Sequence, residues 1–111
     1  MFAKPSVPSI AAADVAEDAY LLDVREPYEW QAGHVAGAVH VPMGEVMARL
    51  AEIPVDRDVV VVCKVGGRSA QVADYLNQVG CTALNLDGGM YAWVRAGRPM
   101  VSESGAAPTV A

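Results

Sequence analysis

The sequence predicts an α/β domain whose strands form a parallel sheet. Segments with the composition of strands alternate along the chain with segments of helical periodicity, an order typical of layered α/β proteins. Residues 59–63, four valines and a cysteine, are apolar at every position, as expected of a central strand covered by helices on both faces. With 111 residues, the chain is long enough for one domain with one hydrophobic core.

The first half of the chain holds two further predicted strands and a short helix. Residues 19–24 and residues 38–41 are short apolar runs of the length that strands usually have. Pro27 stands where proline is favoured, in the first turn of a helix. Residues 27–32 therefore predict a short helix that ends at Gly33.

Two longer helices are predicted on either side of the valine-rich strand. Residues 44–53 have the composition of a helix that precedes the strand. After the strand, Val72, Leu76 and Val79 recur at helical spacing, which indicates one apolar face. Gly80 then suits the left-handed conformation with which many helices end.

The last part of the chain predicts a strand, a turn and a short helix. Residues 82–86 form the strand, and residues 87–97 form the turn and the helix. We expect residues 1–99 to make up the domain. Residues 100–111 are small and polar, and we expect them to form a flexible C-terminal tail.

The composition argues against several classes of function. The formal net charge is −5 and the basic residues are scattered singly, so a nucleic-acid partner is not expected. No apolar run approaches the roughly 18 residues of a membrane-spanning helix, and the N-terminus lacks a signal-peptide pattern. We therefore expect a cytoplasmic protein with no membrane partner. The two cysteines lack metal-ligand spacing, and we expect neither a metal nor a cofactor.

The predicted topology brings the chain's reactive residues to one edge of the sheet. Strands that alternate with right-handed crossovers lie parallel, so their carboxyl ends share an edge. The motifs "DVRE", "CKVGGRS" and "DGG" follow the strands at residues 19–24, 59–63 and 82–86. Ligands bind at this edge in open α/β sheets, and we expect the functional site there.

The thiol of Cys63 stands where a buried strand meets a helix. None of the residues 64–69 is proline, so each carries an N–H group that a tight loop can direct at the sulfur. Gly66 and Gly67 permit the crowded or left-handed backbone that such a loop needs. These amides and the positive end of the helix dipole predict an anion site. Such surroundings lower the pKa of a cysteine from about 8.5 to roughly 3.5–7.5, which makes it a nucleophile at neutral pH.

Two cations and two alternatives complete this interpretation of the loop. Lys64 and Arg68 add positive charge at its mouth and favour small anionic substrates. A cysteine after four valines can instead be a buried apolar residue, and the loop can bind an anion without any reaction. The catalytic interpretation is favoured because a structural cysteine needs neither the adjacent glycines nor the arginine.

Other polar residues near the predicted edge are interpreted as structural. We expect Asp23 to accept hydrogen bonds from backbone or arginine donors behind the loop. Arg25 is expected to pair with a carboxylate such as Glu29. His34 and His40 invite a general-base role, but a buried, hydrogen-bonded His34 is the interpretation that we favour.

The tryptophans and the second cysteine are also assigned to packing. Trp30 and Trp93 have the spacing of core anchors on short helices. Cys81 and Cys63 lie at opposite ends of neighbouring strands, separated by a helix of about ten residues that spans roughly 15 Å. A disulfide needs Cα atoms within about 7 Å, so we expect Cys81 to be a buried free thiol.

Four blocks of the sequence together resemble the rhodanese-like sulfurtransferase family. They are "LLDVREPYEW", "AGHVAGAVHVP", "VVCKVGGRS" and "LDGGMYAW", in the order and spacing of that family over residues 9–99. The resemblance implies a three-layer α/β/α fold with a central, mainly parallel five-stranded sheet. It also implies that Cys63 is the catalytic cysteine, which accepts a sulfane sulfur and becomes a persulfide.

The resemblance further implies the substrates and the binding loop. The donor is thiosulfate or a similar small anion, and the acceptor is a thiol or cyanide. An alternative is a sulfur-relay or protein-binding module that exchanges its persulfide with a partner protein and turns over little by itself. The implied substrate-binding residues are Lys64, Val65, Gly66, Gly67, Arg68 and Ser69.

Loop length separates this reading from a second activity on the same fold. Dual-specificity phosphatases and related arsenate reductases share the fold of this family, but the phosphatase loop has five residues between the cysteine and the arginine. Here four residues separate Cys63 from Arg68, a ring sized for one sulfur atom rather than for a phosphate group. Val65 also departs from many active relatives, which carry a polar side chain at that position. Valine keeps the amide but loses a side-chain hydrogen bond to the donor.

Overall fold

The computed structural model describes residues 7–111 and contains one five-stranded sheet. Every paired strand is parallel to its neighbour, and the strand order is β1-β5-β4-β2-β3. This confirms the predicted α/β class and the parallel sheet. The strands are β1 (Ser9–Ile10), β2 (Tyr20–Asp23), β3 (Val39–His40), β4 (Asp58–Val62) and β5 (Thr82–Leu86), and the helices are α1 (Pro27–Ala32), α2 (Gly67–Gln78) and α3 (Gly89–Arg95).

The valine run forms the centre of the sheet, as its composition predicts. In β4, Val59 and Val61 pack into the core on the α2 side, together with Val72. Val60 and Val62 pack into the core on the α3 side. A strand buried on both faces has no polar side to present to water, which is why the run contains no alternation of polar and apolar residues.

The predicted helix over residues 44–53 is wrong. The segment forms two 3₁₀ turns, Met43–Glu45 and Leu50–Glu52, joined by further turns. Arg49 leaves the helical region with φ −110° and ψ 20°, so the α-helical hydrogen-bond ladder stops there. Tertiary packing overrides the helical composition, because Val46 and Ile53 must both reach the core on the α2 side.

The other boundaries agree closely, and the two-residue strand β1 is the one that sequence reasoning missed. β5 and α1 have the predicted bounds, and Gly80 has the predicted positive φ of 104° beyond the end of α2. Val79, placed on the apolar face of α2 by its spacing, is 42% exposed. β1 has two residues, too few to show an alternating pattern, and it adds the fifth strand.

Residues 100–111, expected to form a flexible tail, run along the domain in the structure. Val101 forms an isolated antiparallel bridge with His34, with hydrogen bonds of 2.8 and 2.9 Å. Further along, the amide of Thr109 donates to the carbonyl of Ala32 at 2.9 Å. A Cβ at Gly33 would lie 2.4 Å from the carbonyl oxygen of Thr109, so the glycine permits this close approach. Backbone pairing supplies contacts that the composition of the segment does not suggest.

Within residues 7–111, no helix has the length and apolar character needed to cross a membrane. The same residues contain no group of three or more histidine, cysteine, aspartate or glutamate side chains arranged to bind a metal ion.

Candidate active site

Cys63 lies at the carboxyl edge of the sheet, one residue beyond β4. It has no solvent-exposed surface, and α2 begins four residues later. Its carbonyl accepts a hydrogen bond of 2.9 Å from the amide of Met90 in α3. The cysteine is therefore held between the sheet and two helices, at the edge where the sequence predicts the site.

The loop after the cysteine directs its donors at the sulfur. The amide of Gly66 donates to Sγ at 3.1 Å, and the hydroxyl of Ser69 lies 3.1 Å from the same atom. Gly66 has φ 107°, a left-handed conformation that a side chain would strain. Gly67 has an ordinary φ and open space at its Cβ position. Only the first of the two predicted glycines is therefore required by the backbone.

These donors oppose the effect of burial on the thiol. Burial alone raises the pKa of Cys63, because it penalises the charged thiolate. Hydrogen bonds from the hydroxyl and amide of Ser69, and from the amides of Gly66 and Val65, outweigh this effect and lower the pKa below its ordinary value. Cys63 is thus a buried cysteine whose surroundings favour the nucleophilic form.

Asn85 in β5 holds the loop from the other side. Its Nδ2 donates to the carbonyl of Gly66 at 3.1 Å, which fixes the orientation of the amide group. Its Oδ1 then lies 2.5 Å from the hydroxyl of Ser69. That hydroxyl has one proton, so Asn85 and the sulfur compete for it. Sequence reasoning missed Asn85, because its side chain reaches the site only through the pairing of β5 with β4.

The "DGG" motif supports the loop, and sequence reasoning assigned its glycines no role beyond their place at the edge. Gly89 has φ 59°, and a Cβ there would lie 2.5 Å from the carbonyl oxygens of both Cys63 and Lys64. Gly88 has φ 75°, and its Cβ would lie 2.8 Å from Cβ of Ala92. Helix α3 therefore packs directly against the backbone of the cysteine. The motif's position at a strand end was the available signal for this contact.

Arg68 forms an ion pair with Glu29 rather than a hydrogen bond to the sulfur. The two guanidinium nitrogens donate to the two carboxylate oxygens at 2.8 and 2.9 Å. Hydrogen bonding from Arg68 outweighs burial and lowers the pKa of Glu29, and the same bonds raise the pKa of Arg68 further above its ordinary value. Glu29 also closes the N-terminal cap of α1 by accepting from the amide of Glu26 at 2.9 Å.

Arg25 is paired with a carboxylate, as expected, but the carboxylate is not that of Glu29. Arg25 pairs instead with Asp23, whose carboxylate accepts from Nε at 2.9 Å and from Nη2 at 2.7 Å. Both side chains are buried, and Nη2 also donates to the carbonyl of Gly33 at 2.8 Å. The role predicted for Asp23, an acceptor for arginine behind the loop, is confirmed. Close spacing in the sequence favours this pair, whereas α1 carries Glu29 towards the loop.

The remaining loop side chains, of which Lys64 is half-buried and Val65 is exposed, form a rim at the surface. The ammonium group of Lys64 lies 5.5 Å from the centre of the Tyr91 ring, which attracts it by a cation–π interaction. Val65 is exposed to solvent beside them. Neither Lys64 nor Arg68 contributes a side-chain hydrogen bond to the sulfur, so backbone amides and the Ser69 hydroxyl stabilise the thiolate.

The histidines and Trp30 form a separate aromatic stack. His34 lies 3.5 Å from Trp30 between ring centres, and His40 lies 4.8 Å away, with nearly parallel planes. His34 is buried and its Nδ1 is 2.8 Å from the carbonyl of Trp30, which confirms its predicted structural role. Trp93 is buried in the core as predicted, whereas Trp30 is only half-buried. Cys81 is free and buried, as predicted.

Known proteins are similar to this chain in sequence and in fold. The sequence profile of the rhodanese-like domain matches residues 8–96. A sulfurtransferase of Allochromatium vinosum is 46% identical over 90 residues, which make up 80% of this chain and 84% of that protein. The crystal structure of a rhodanese-related protein from Thermoplasma volcanium superposes with a TM-score of 0.82 at 34% identity, over 86% of this chain and 99% of that one. A thiosulfate sulfurtransferase from Pseudomonas aeruginosa gives a TM-score of 0.77 at 29% identity, over 92% of this chain and 21% of that one. The chain therefore belongs to the family of rhodanese-like domains.

Proposed function

We propose that this protein is a sulfurtransferase that carries a sulfane sulfur on Cys63 as a persulfide. The observation that supports this most is the set of donors on Sγ, namely the amide of Gly66 and the hydroxyl of Ser69, both at 3.1 Å. They lower the pKa of a thiol that burial alone would keep protonated. The lowered pKa favours the thiolate, which is the nucleophile, so the proposal includes no separate general base.

The transfer takes place in two displacements. The Cys63 thiolate attacks the outer sulfur of thiosulfate or a similar donor, a new S–S bond forms, and the old S–S bond breaks. For thiosulfate, the electron pair of that bond leaves on sulfite. A thiol or cyanide then attacks the outer sulfur of the persulfide, and the electron pair returns to Sγ. No net oxidation occurs, and the cysteine ends each cycle as the thiolate.

The beginning of α2 supplies further amides for the outer sulfur. The first hydrogen bond within the helix runs from Ala70 to the carbonyl of Gly66. The amides of Gly67, Arg68 and Ser69 therefore have no acceptor inside the helix. They lie at its positive end, where a persulfide anion is stabilised. This supports a binding role for the backbone of the loop.

Phosphatase and arsenate reductase activity is less well supported. Four residues separate Cys63 from Arg68, and bidentate recognition of a phosphate group by that arginine would compete with its ion pair to Glu29. A tetrahedral anion would have to break two short hydrogen bonds to a buried carboxylate before it gained the arginine.

A relay module remains the second candidate, and the exposed rim favours it. Val65, in the loop around Cys63, is 61% exposed, so the loop can be reached by a partner protein that delivers or removes sulfur. Both cysteines are free, as they are in the reducing cytoplasm where we expect the protein to act. The two candidates share the Cys63 persulfide and differ in how fast small molecules turn it over.

Mass spectrometry of the intact protein tests the proposed function. After treatment with a sulfane-sulfur donor and removal of the excess, we expect one added sulfur on Cys63 and none in the Cys63→Ala variant. A protein that gains no sulfur on Cys63 contradicts the proposal. Steady-state transfer from thiosulfate to cyanide then separates the candidates. Cys63-dependent turnover supports the enzyme, and loading without turnover supports the relay.

A further inference from the structure

A small dianion such as thiosulfate needs fixed positive charge to bind it, and the ion pair at the mouth of the loop removes part of that charge. Glu29 binds Arg68 through both carboxylate oxygens, and its side chain is only 3% exposed. A buried carboxylate held by two hydrogen bonds does not exchange readily with a dissolved anion. The ion pair therefore cancels the charge of one of the two cations that the sequence predicts to hold the donor.

Lys64 is the other cation predicted at the mouth, and it is also engaged. Its ammonium group lies over the ring of Tyr91, 5.5 Å from the ring centre. A cation–π contact at an exposed site is weak, and the flexible lysine can leave it. The mouth thus offers a dianion one mobile cation rather than a fixed pair of cations.

Three apolar or aromatic side chains of the loop and of helices α1 and α3 are exposed to solvent. Val65 is 61% exposed, Tyr91 is 44% exposed, and Tyr28, the neighbour of Glu29 in the chain, is 66% exposed. An open cleft of about 450 Å³ runs beside Val65, with both apolar and uncharged polar residues in its lining. Asp87 is the one charged residue among those that line it in the described structure. An organic group gains contacts on this surface, whereas a second negative charge is repelled by Asp87.

We propose that the site prefers sulfane-sulfur donors in which an organic group replaces a charged oxygen, and that Glu29 determines this specificity by neutralising Arg68. This proposal rests on the proposed sulfur transfer through Cys63. The donors are organic thiosulfonates and persulfides, which carry at most one negative charge at the reacting end. Inorganic thiosulfate is the disfavoured substrate.

The chemical step is the same for both kinds of donor. With a thiosulfonate, the Cys63 thiolate forms a bond to the outer sulfur. The bond between that sulfur and the sulfonyl sulfur breaks, and its electron pair leaves on the sulfinate. The products are the persulfide anion and the sulfinate anion, so charge and electrons balance without a proton, oxidant or reductant.

Benzenethiosulfonate and thiosulfate form a matched pair of probes, because they differ by a phenyl group in place of one charged oxygen. The rate of persulfide formation on Cys63 is measured with each probe by rapid quenching and mass spectrometry. The ratio of the two rates is divided by the same ratio for a small thiol in solution, which removes the difference in leaving groups. We expect this corrected ratio to favour benzenethiosulfonate in the wild type.

Glu29→Gln is the decisive variant. Glutamine can still accept the hydrogen bond from Glu26 that caps α1, and circular dichroism checks that the fold is retained. Because Arg68 is no longer neutralised, we expect thiosulfate to load about tenfold faster or more, with little change for benzenethiosulfonate. The gain should fall as salt is added, because it is electrostatic.

Two controls test whether the ion pair itself is responsible. Glu52→Gln breaks a similar pair with Arg49 on the exposed surface far from the loop, and we expect it to leave the corrected ratio unchanged. The double variant Glu29→Gln/Arg68→Gln removes both charges, and we expect it to restore the wild-type ratio. A ratio that is unchanged in Glu29→Gln, or a wild type that prefers thiosulfate, overturns the inference while persulfide formation stands. If neither probe loads Cys63, the proposed function itself fails.

Discussion

The two cysteines of this protein are both buried and both free, yet their surroundings have opposite effects on them. Cys63 follows the carboxyl end of β4 and receives hydrogen bonds from Gly66 and Ser69. Cys81 precedes the amino end of β5, where burial raises its pKa and no donor opposes that effect. Burial alone makes a thiol less reactive, so the donors at the carboxyl edge favour Cys63 over Cys81 as the proposed nucleophile.

The largest expected effect is the difference in persulfide formation between variants that lack one cysteine or the other. Cys63→Ser removes the sulfur acceptor, and we expect persulfide formation and sulfur transfer to be abolished, since serine is a poor nucleophile at neutral pH. Cys81→Ala should keep the activity of the wild type. Both are measured by persulfide loading. Residual loading of Cys63→Ser, or a loss of loading in Cys81→Ala, would show that the roles of the two thiols are wrongly assigned.

The contact between α3 and the cysteine loop gives the next largest effect. In Gly89→Ala, the new Cβ overlaps the carbonyl oxygens of Cys63 and Lys64 at 2.5 Å, so the loop must shift. A displacement of about 1 Å at a reacting group costs on the order of 10²-fold in rate, and we expect a loss of that size in persulfide loading.

Gly67→Ala is the matched control for this change. Its Cβ position is open and its φ is ordinary, so the loop should keep its shape and its rate within about twofold. Equal losses in Gly67→Ala and Gly89→Ala would mean that any alanine near the loop is harmful, and that the contact with α3 is not specific.

Ser69→Ala brings the environment of Cys63 closer to that of Cys81. It removes the hydroxyl that helps to lower the pKa of Cys63, so the pKa should rise. The thiolate of the wild type persists above its lowered pKa and is lost as pH falls through that value; in the variant this loss begins at higher pH. A hydrogen bond to a charged group is worth about 1.5–3 kcal/mol, so loading near neutral pH should fall about tenfold or more.

The pH dependence of alkylation by iodoacetamide measures this shift at each thiol separately. In the wild type, we expect alkylation of Cys63 at a pH well below the pH that Cys81 needs. Cys81 should become reactive only at high pH or after the protein unfolds. A Ser69→Ala profile that matches the wild type would show that the backbone amides alone set the pKa of Cys63.

The smallest expected effect is on stability. Cys81→Ala removes a buried sulfur at the edge of the core near α2, and we expect the free energy of unfolding to fall by about 1 kcal/mol. Urea denaturation measures it. A change of several kcal/mol would indicate that Cys81 supports more of the fold than its position suggests.

Local patterns in the sequence account for most of the fold. The alternation of elements predicts the parallel sheet, and four successive valines predict its central strand, because these signals depend only on neighbouring residues. The prediction of a helix over residues 44–53 was wrong because it rested on local composition alone. The segment forms 3₁₀ turns instead, because its apolar side chains must cover the core. The segment after residue 99 is likewise held by Val101 and His34, which no local pattern connects.

The sequence by itself was enough to predict Cys63 as the nucleophile together with its loop, because Gly66 and Ser69 donate to its sulfur from within six residues along the chain. Only the tertiary structure decided the partners of that loop. Glu29 meets Arg68 across 39 residues, and Asn85 meets Ser69 across 16. Ion pairs and hydrogen bonds depend on the distance in space and not on the separation along the chain. These contacts therefore form only once the sheet and its helices bring the residues together.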